Sequence, residues 1–303
     1  MENHMSAYPI WFYYLAVAGF GLIFGSFFNV VIYRLPKDVP LGGHSSCPEC
    51  GMTIRWYDNV PLLSYAILKG RCRGCRKPIS LRYPLVEAMT ASLFALAYWW
   101  SRGLTPTHAM PPGRHAVTPE FFIGLLMVCV LIIVSAVDFT DGIVPNRIVY
   151  PGLIAMIALV TGVALYRGQP GRIGLSLAGG AIGGGFLLAA GLIYGAIFLR
   201  GKPAEVEDGD GDDENAIPTG IGMGDVKLIA FSGFVLGYFH WYLVTVQLFV
   251  GFLLGALASV PLLVLARKGR QDKLPFAPFL SAGAVIALVW GKQLVDIYLK
   301  LLR

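Results

Sequence analysis

EFFIGLLMVCVLIIVSAVD, residues 120–138, carries its only charges at its two ends, on Glu120 and Asp138. A helix of about 20 apolar residues is long enough to cross the hydrocarbon core of a bilayer. Lipid offers no partner for backbone N–H and C=O groups, and a helix satisfies these groups internally. The segment therefore predicts a transmembrane helix that ends in an acidic side chain.

Other apolar segments of the 303-residue chain share this character. Hydrophobic residues make up 56% of the chain and charged residues 14%, whereas soluble domains carry about 25% charged residues. This composition excludes a cytosolic enzyme, a disordered chain and a disulfide-stapled secreted domain. We predict an all-α polytopic membrane protein of about eight transmembrane helices, although the short segment 226–239 also suits a half-buried helix. The predicted spans are residues 11–33, 83–100, 120–138, 147–166, 174–199, 226–239, 241–266 and 276–299.

The net charge of +6 first suggests a nucleic-acid partner, but the basic residues flank the apolar segments. With eight spans, 17 of the 24 Lys and Arg residues fall on one side of the membrane. Lys and Arg accumulate in cytoplasmic loops. We therefore expect both termini in the periplasm, two long cytoplasmic loops at 34–82 and 200–224, and a lipid bilayer rather than a nucleic acid as partner.

Two CxxC pairs stand in the first of these loops, Cys47 with Cys50 and Cys72 with Cys75. This spacing is typical of a four-thiolate zinc site. Two disulfides are the alternative, although disulfides are rare in the reducing cytoplasm. A closed four-sulfur site leaves no coordination position for substrate, so the predicted role of zinc is structural. The nearby His44 is either a further ligand or a solvated loop residue.

Ionisable groups near membrane depth are costly and mark functional sites by default. Asp138 ends one span, and Asp225 opens another in the motif Gly222-Met223-Gly224-Asp225. Two spans separate them, so both are expected on the cytoplasmic side. Two facing carboxyls can share a proton and activate a water, as in aspartic proteases. The alternatives are a helix N-cap for Asp225 and a residue at the water interface for Asp138.

The second long loop contains an acidic run from Glu205 to Glu214. A calcium-binding EF-hand that started at Asp208 would need glycine at position 213 and glutamate at position 219. The chain has Asp213 and Thr219 at those positions. We therefore interpret the run as a solvated loop.

Several separate stretches resemble the bifunctional type IV prepilin peptidases, and the resemblance covers nearly the whole chain. The N-terminal part is similar in Gly25 to Pro36, in the two cysteine pairs, in Asp58 to Tyr65 and in Arg82 to Glu87. The C-terminal part is similar in Asp138 with Val144-Pro145-Asn146, in Gly222 to Leu228, and in Pro275 to Leu280. One departure is Ala277, which stands where the family usually has glycine.

The resemblance implies that Asp138 and Asp225 are the two catalytic aspartates, with Gly222 and Gly224 as parts of the motif and Asp141 as a less favoured first aspartate. It further implies cleavage of the leader of type IV prepilins and secretion pseudopilins at the cytoplasmic face of a bacterial inner membrane. The new N-terminal amine would then be methylated with S-adenosylmethionine. For that methyl donor the resemblance points only to the N-terminal domain, where the candidates are Asn29, Arg34, Gly70 and Glu87.

The predicted organisation is an N-terminal domain over residues 1–100, which contains the zinc loop 34–82, and a six-span aspartic peptidase domain over residues 101–303. Two rival functions stay open at this point. The first is a peptidase without methyltransferase activity, in which the cysteine loop serves stability or substrate docking. The second is a transporter whose acidic residues relay ions.

Overall fold

The computed structural model describes residues 8–104, 117–198, 222–265 and 275–302. Within these ranges all regular structure is helical, apart from two isolated backbone bridges. The prediction of an all-α chain is confirmed. The α-helices are α1 (Ile10–Arg34), α2 (Leu63–Ile67), α3 (Arg82–Gly103), α4 (Pro119–Asp141), α5 (Asn146–Tyr166), α6 (Gly171–Phe198), α7 (Met223–Phe239), α8 (Tyr242–Leu265) and α9 (Ala277–Leu301).

Six of these helices are long and apolar enough to cross a membrane, namely α1, α4, α5, α6, α8 and α9. Of the other two long helices, α3 contains Glu87 and several aromatic residues with polar groups, and α7 has only 17 residues. The chain is thus a multi-pass membrane protein. The number of eight crossings stays a prediction, as does the orientation of the termini. The acidic run predicted as a solvated loop lies outside the described residues.

Contacts divide the chain into two compact units, with the division between Ile133 and Val134 inside α4. In unit 1, α1 packs closely along α3. Gly25 makes this approach possible, since a Cβ atom there would lie 2.7 Å from the Cα of Glu87. An aromatic cluster of Tyr98 and Phe121 extends this core. The predicted boundary after residue 100 separates two functional domains, not two packing units, and it stays a prediction.

In unit 2, α7 lies at the centre and contacts α5, α6, α8 and α9. Its residues from Leu228 to Tyr238 are almost all buried. Glycine permits close contacts between these helices, since a Cβ atom on Gly179 of α6 would lie 2.8 Å from the Cα of Gly237 on α7. A helix of 17 residues is thus surrounded by longer helices, which bury its side chains. This packing also fixes the first turn of α7, which carries Asp225.

Candidate active site and metal centre

Asp138 lies in the last turn of α4, and only 7% of its surface is exposed. Its Oδ2 atom accepts a hydrogen bond of 2.9 Å from the backbone N–H of Ala277, the first residue of α9. A backbone N–H at the start of a helix has no partner within the helix and is free to bind an anion. The start of α9 therefore holds one oxygen of a buried carboxyl group.

Asp225 occupies the first turn of α7 and is half-buried. The helix begins after Gly222, whose carbonyl accepts a 3.1 Å hydrogen bond from the backbone N–H of Asp225. A carboxylate in the first turn interacts favourably with the helix dipole. The N-cap residue of α7 is Gly222, and Asp225 is the third residue of the helix, so the N-cap alternative for Asp225 is wrong.

The segment that follows Asp138 packs directly on the start of α7. A Cβ atom on Gly224 would lie 2.6 Å from the Cβ of Val144, so glycine is required for this approach. One turn further along α7, Lys227 Nζ donates a 2.9 Å hydrogen bond to Oδ1 of Asn146. These two contacts place the end of α4 and the start of α7 at the same end of unit 2.

Asp141 has a different environment. It lies on the surface, and its Oδ2 atom accepts a 2.6 Å hydrogen bond from the hydroxyl of Thr140. No burial or helix start constrains this carboxyl in the described part of unit 2. The geometry thus distinguishes Asp138 from Asp141 as the better-positioned acid.

The four cysteines of the zinc loop are brought together in unit 1. Their sulfur atoms all lie within 4.8 Å of one another, and the Sγ atoms of Cys47 and Cys75 are 3.9 Å apart. A tetrahedral zinc with Zn–S bonds of about 2.3 Å requires sulfur separations of about 3.8 Å. The cysteines are free thiols. The donor set and its spacing fit zinc, whereas the disulfide alternative would join them in bonded pairs.

The two CxxC pairs, identified in the sequence by their spacing, form near-identical turns. The backbone N–H of Cys47 donates to the carbonyl of Met52, and that of Cys72 donates to the carbonyl of Lys77, both at 2.9 Å. The residue after each second cysteine has a positive φ, +71° at Gly51 and +60° at Arg76. The shared left-handed position could not be predicted from the sequence, because the second turn has an arginine where the first has a glycine.

The environment of the thiols already favours one thiolate. Backbone N–H groups of Cys75 and Gly74 lower the pKa of Cys72 to about 7. The N–H of Lys77 acts to lower the pKa of Cys75, but burial and the neighbouring sulfur atoms outweigh it and raise that pKa to about 11. Metal binding to such a cluster displaces the remaining thiol protons.

An ion pair braces the loop between the two turns. Arg73 donates hydrogen bonds from Nε and Nη2 to the two carboxyl oxygens of Asp58, at 2.8 and 2.6 Å. This hydrogen bonding holds the pKa of Asp58 below its usual value. The expected alternative ligand His44 is exposed and is not in the sulfur cluster.

Two of the four candidate methyl-donor residues lie together between α1 and α3. Asn29 donates a 3.0 Å hydrogen bond from Nδ2 to the carbonyl of Tyr83, while its Oδ1 atom is buried with no hydrogen-bond partner among the described residues. One turn later on α3, Glu87 Oε2 accepts a 2.8 Å hydrogen bond from the backbone N–H of Leu62. These residues form a small buried polar cluster.

The other two candidates have structural partners instead. The guanidinium of Arg34 donates to four carbonyls of the loop that follows α1, between Pro40 and His44. Gly70 has a φ of +65°, and a Cβ atom there would lie 2.8 Å from the hydroxyl oxygen of Tyr65. The structure thus groups Asn29 with Glu87 and places Arg34 and Gly70 in the support of the loop.

Comparisons with known proteins also divide the chain into an N-terminal and a C-terminal part, as the two compact units do. The family model for the bacterial peptidase A24 N-terminal domain matches residues 20–101. The model for the type IV leader peptidase family matches residues 125–260. The first match covers the zinc loop and the polar cluster, and the second covers both aspartates.

Several curated relatives match nearly end to end. A protein of Aeromonas hydrophila is 30% identical over 95% of this chain and 94% of its own length. A protein of Bacillus subtilis (strain 168) is 31% identical over 93% of this chain and 96% of its own length. A protein of Myxococcus xanthus (strain DK1622) is 40% identical over 46% of this chain and 38% of its own length. All three are named prepilin leader peptidase/N-methyltransferase. No solved structure matches the chain.

Proposed function

The chain belongs to the type IV leader peptidase family, and from that premise we propose that it cleaves the leader peptide of type IV prepilins and pseudopilins and methylates the new N-terminal residue. The observation that carries the proposal is the position of Asp138 and of the glycine-aspartate motif at one end of unit 2. The chain is a multi-pass inner-membrane enzyme in this proposal, and its acids face the cytoplasm. A prepilin can then lie in the bilayer with its leader at the acids.

Asp138 and Asp225 would act as a pair that shares one proton. The ionised carboxylate takes a proton from a water molecule while the protonated partner donates a hydrogen bond to the scissile carbonyl. The water oxygen bonds to the carbonyl carbon, and the resulting diol collapses as the amine nitrogen takes a proton and leaves. The Ala277 N–H donates to Oδ2 of Asp138 and orients the carboxyl group for this step.

The four thiolates of Cys47, Cys50, Cys72 and Cys75 would hold one structural zinc. The sulfur spacing supports this assignment. Four thiolates complete the tetrahedral coordination of zinc, so the metal would fold the loop and take no part in hydrolysis. A loop of this length cannot bury a large core, and metal binding supplies folding free energy.

For the methyl transfer, we place the donor site at the polar cluster of unit 1. S-adenosylmethionine would supply an electrophilic methyl group there when bound. The unpartnered Oδ1 of Asn29 and the carboxyl group of Glu87 are hydrogen-bond acceptors of the kind that a cationic ligand needs. Their burial would exclude water from the transfer.

The two activities are tested together by mass spectrometry of a prepilin incubated with the purified protein in detergent, with and without S-adenosylmethionine. The proposal expects a shortened product that gains one methyl group only when the donor is present. A shortened product that stays unmethylated would leave a peptidase alone. An intact prepilin would overturn the proposal.

A further inference from the structure

A depression of about 300 Å³ lies beside the second CxxC turn of unit 1. Four basic residues line it, Lys69, Arg71, Arg73 and Arg76, together with Ile67, Leu68 and the proposed zinc ligand Cys72. None of its lining residues is acidic. The depression therefore offers concentrated positive charge to an anion.

Three of these four basic side chains have no carboxylate partner among the residues that the structure describes. Arg73 pairs with Asp58, but Lys69, Arg71 and Arg76 are exposed and form no ion pair with any residue that the structure describes. A topology signal requires only that basic residues be numerous in a cytoplasmic loop. Here the four basic residues lie within one short segment, Lys69 to Arg76, and line one depression.

Large apolar side chains are exposed in the same loop, and the Trp56 ring lies 5.6 Å from the ring of Tyr57, which the Arg73 guanidinium approaches to 5.6 Å. Trp56 is 82% exposed, and Ile67, which lines the depression at the end of α2, is 65% exposed. The hydroxyl of Ser64 on α2 donates a 2.9 Å hydrogen bond to the carbonyl of Tyr57, which fixes the Trp56 turn against α2. Aromatic and basic side chains together are typical of surfaces that contact the membrane–water interface.

The two ends of the loop hold it close to the bilayer. It leaves at the end of α1, a candidate span, and returns beside the same end, because Asn29 of α1 bonds to Tyr83 of α3. Arg76 lies six positions before Arg82, where α3 begins. A chain of that length reaches at most about 20 Å. The depression is thus confined to the region near the membrane surface.

We propose that this face of the zinc loop, formed by Trp56, Ile67 and the basic depression, docks on anionic phospholipid head groups of the bilayer that the chain itself spans. The cytoplasmic leaflet is rich in anionic lipids, which attract basic segments close to the surface. Lys69, Arg71 and Arg76 would contact the phosphates, while Trp56 and Ile67 enter the interface. The inference does not depend on the peptidase chemistry.

The test uses the full chain in lipid nanodiscs of two compositions, phosphatidylcholine alone or phosphatidylcholine mixed with phosphatidylglycerol, with acyl chains brominated near the head groups. Bromine quenches nearby indole fluorescence. The contribution of Trp56 among the six tryptophans is the difference between wild type and Trp56→Phe. We expect Trp56 to be quenched at least twice as strongly in the anionic discs, and we expect salt to reduce this excess because it screens exposed charge.

The variant K69Q/R71Q should lose the excess quenching. The matched variant K292Q/K300Q removes the same charge from exposed positions of α9 and should retain it. Circular dichroism before and after heating shows that the variants are folded. Equal quenching of Trp56 in the two compositions, or an excess that survives in K69Q/R71Q, would overturn the proposal. If inorganic phosphate changes Trp56 emission in phosphatidylcholine discs while anionic lipid does not, the depression binds a soluble anion and docking is wrong.

Discussion

The backbone N–H of Ala277 donates a 2.9 Å hydrogen bond to Oδ2 of Asp138, across 139 positions of the chain. This bond joins the first residue of α9 to the last turn of α4. It orients the carboxyl group with a donor that has no competing partner in its own helix. Asp138 is thereby held by a backbone N–H. Substitution of the Ala277 side chain by any residue other than proline keeps this donor.

Substitution of either aspartate should abolish leader cleavage. Asp138→Asn and Asp225→Asn keep the size of each side chain but cannot ionise, so we expect the cleavage rate to fall by about 10⁴-fold. Mass spectrometry of prepilin over time measures the loss. The matched control is Asp141→Asn at the exposed neighbour, which should cleave at the normal rate. Near-normal cleavage by either of the first two variants would remove that residue from the catalytic pair.

The bond to Ala277 is testable because proline lacks the N–H. Ala277→Pro should lower kcat by about 10-fold or more, the typical cost of a lost hydrogen bond to a charged group. Proline is favoured at the first helical position. However, it disfavours the αR conformation that Phe276 adopts before it, so an unchanged Tm must first show that α9 still forms. Ala277→Gly retains the N–H and should cleave normally. Equal kcat in the two variants would show that the bond does not position Asp138.

The aspartates could be selected as candidates from the sequence because a carboxyl at the end of an apolar span is costly, and their catalytic role stays a prediction. Asp138 and Asp225 stand out in this way. The Ala277 bond could not be predicted, since a backbone N–H leaves no trace in residue type and lies far away along the chain. The hydrogen bond between Lys227 and Asn146 could not be predicted either. Both residues occur in motifs, but nothing in the sequence pairs them.

The N-terminal domain shows which sites a spacing pattern can predict and which it cannot. The spacing of Cys47, Cys50, Cys72 and Cys75 predicted a cluster, and the structure brings the four sulfur atoms together. The methyl-donor residues were less predictable, because Asn29 and Glu87 are single polar residues with no spacing pattern. Only the packing of α1 on α3 brings them together. Their role remains a proposal.

The contact between Gly224 and Val144 predicts a defect that a second substitution repairs. Gly224→Ala places a methyl group 2.6 Å from the Cβ of Val144, and such overpacking costs about 1–3 kcal/mol. We expect slower cleavage, since the strain lies next to Asp225. Val144→Gly removes the Cβ and both γ-methyl groups that the new methyl group would meet, so the double variant should recover most of the rate. Additive losses in the double variant would show that the two residues act independently.

Metal analysis should find one zinc per chain. Cys47→Ser or Cys72→Ser removes a ligand, so we expect zinc loss and faster proteolysis of the loop, because structural zinc sites contribute folding free energy. Cys129→Ser is the matched control, since Cys129 lies in α4 outside the cluster. It should retain the metal. Intact protein without zinc, in the absence of chelators, would contradict the assignment.

The repeat of the two CxxC turns predicts that one turn can be improved by copying the other. Arg76 has a φ of +60° where Gly51 has +71°, and a left-handed conformation costs a non-glycine residue roughly 1–2 kcal/mol. Glycine relieves that strain but loses more chain entropy on folding. We therefore expect Arg76→Gly to gain about 0.5–1 kcal/mol, or a zinc affinity about 2- to 5-fold higher, measured by chelator competition in detergent.

Arg76→Ala separates the backbone effect from the loss of charge, because alanine removes the guanidinium but keeps Cβ. It should show no such gain. The reciprocal substitution, Gly51→Ala, adds a methyl group that meets no atom within 4 Å, so any loss of affinity must come from the backbone. We expect a loss of similar size. If Arg76→Ala gains as much as Arg76→Gly, relief of charge repulsion rather than of φ strain limits the second turn.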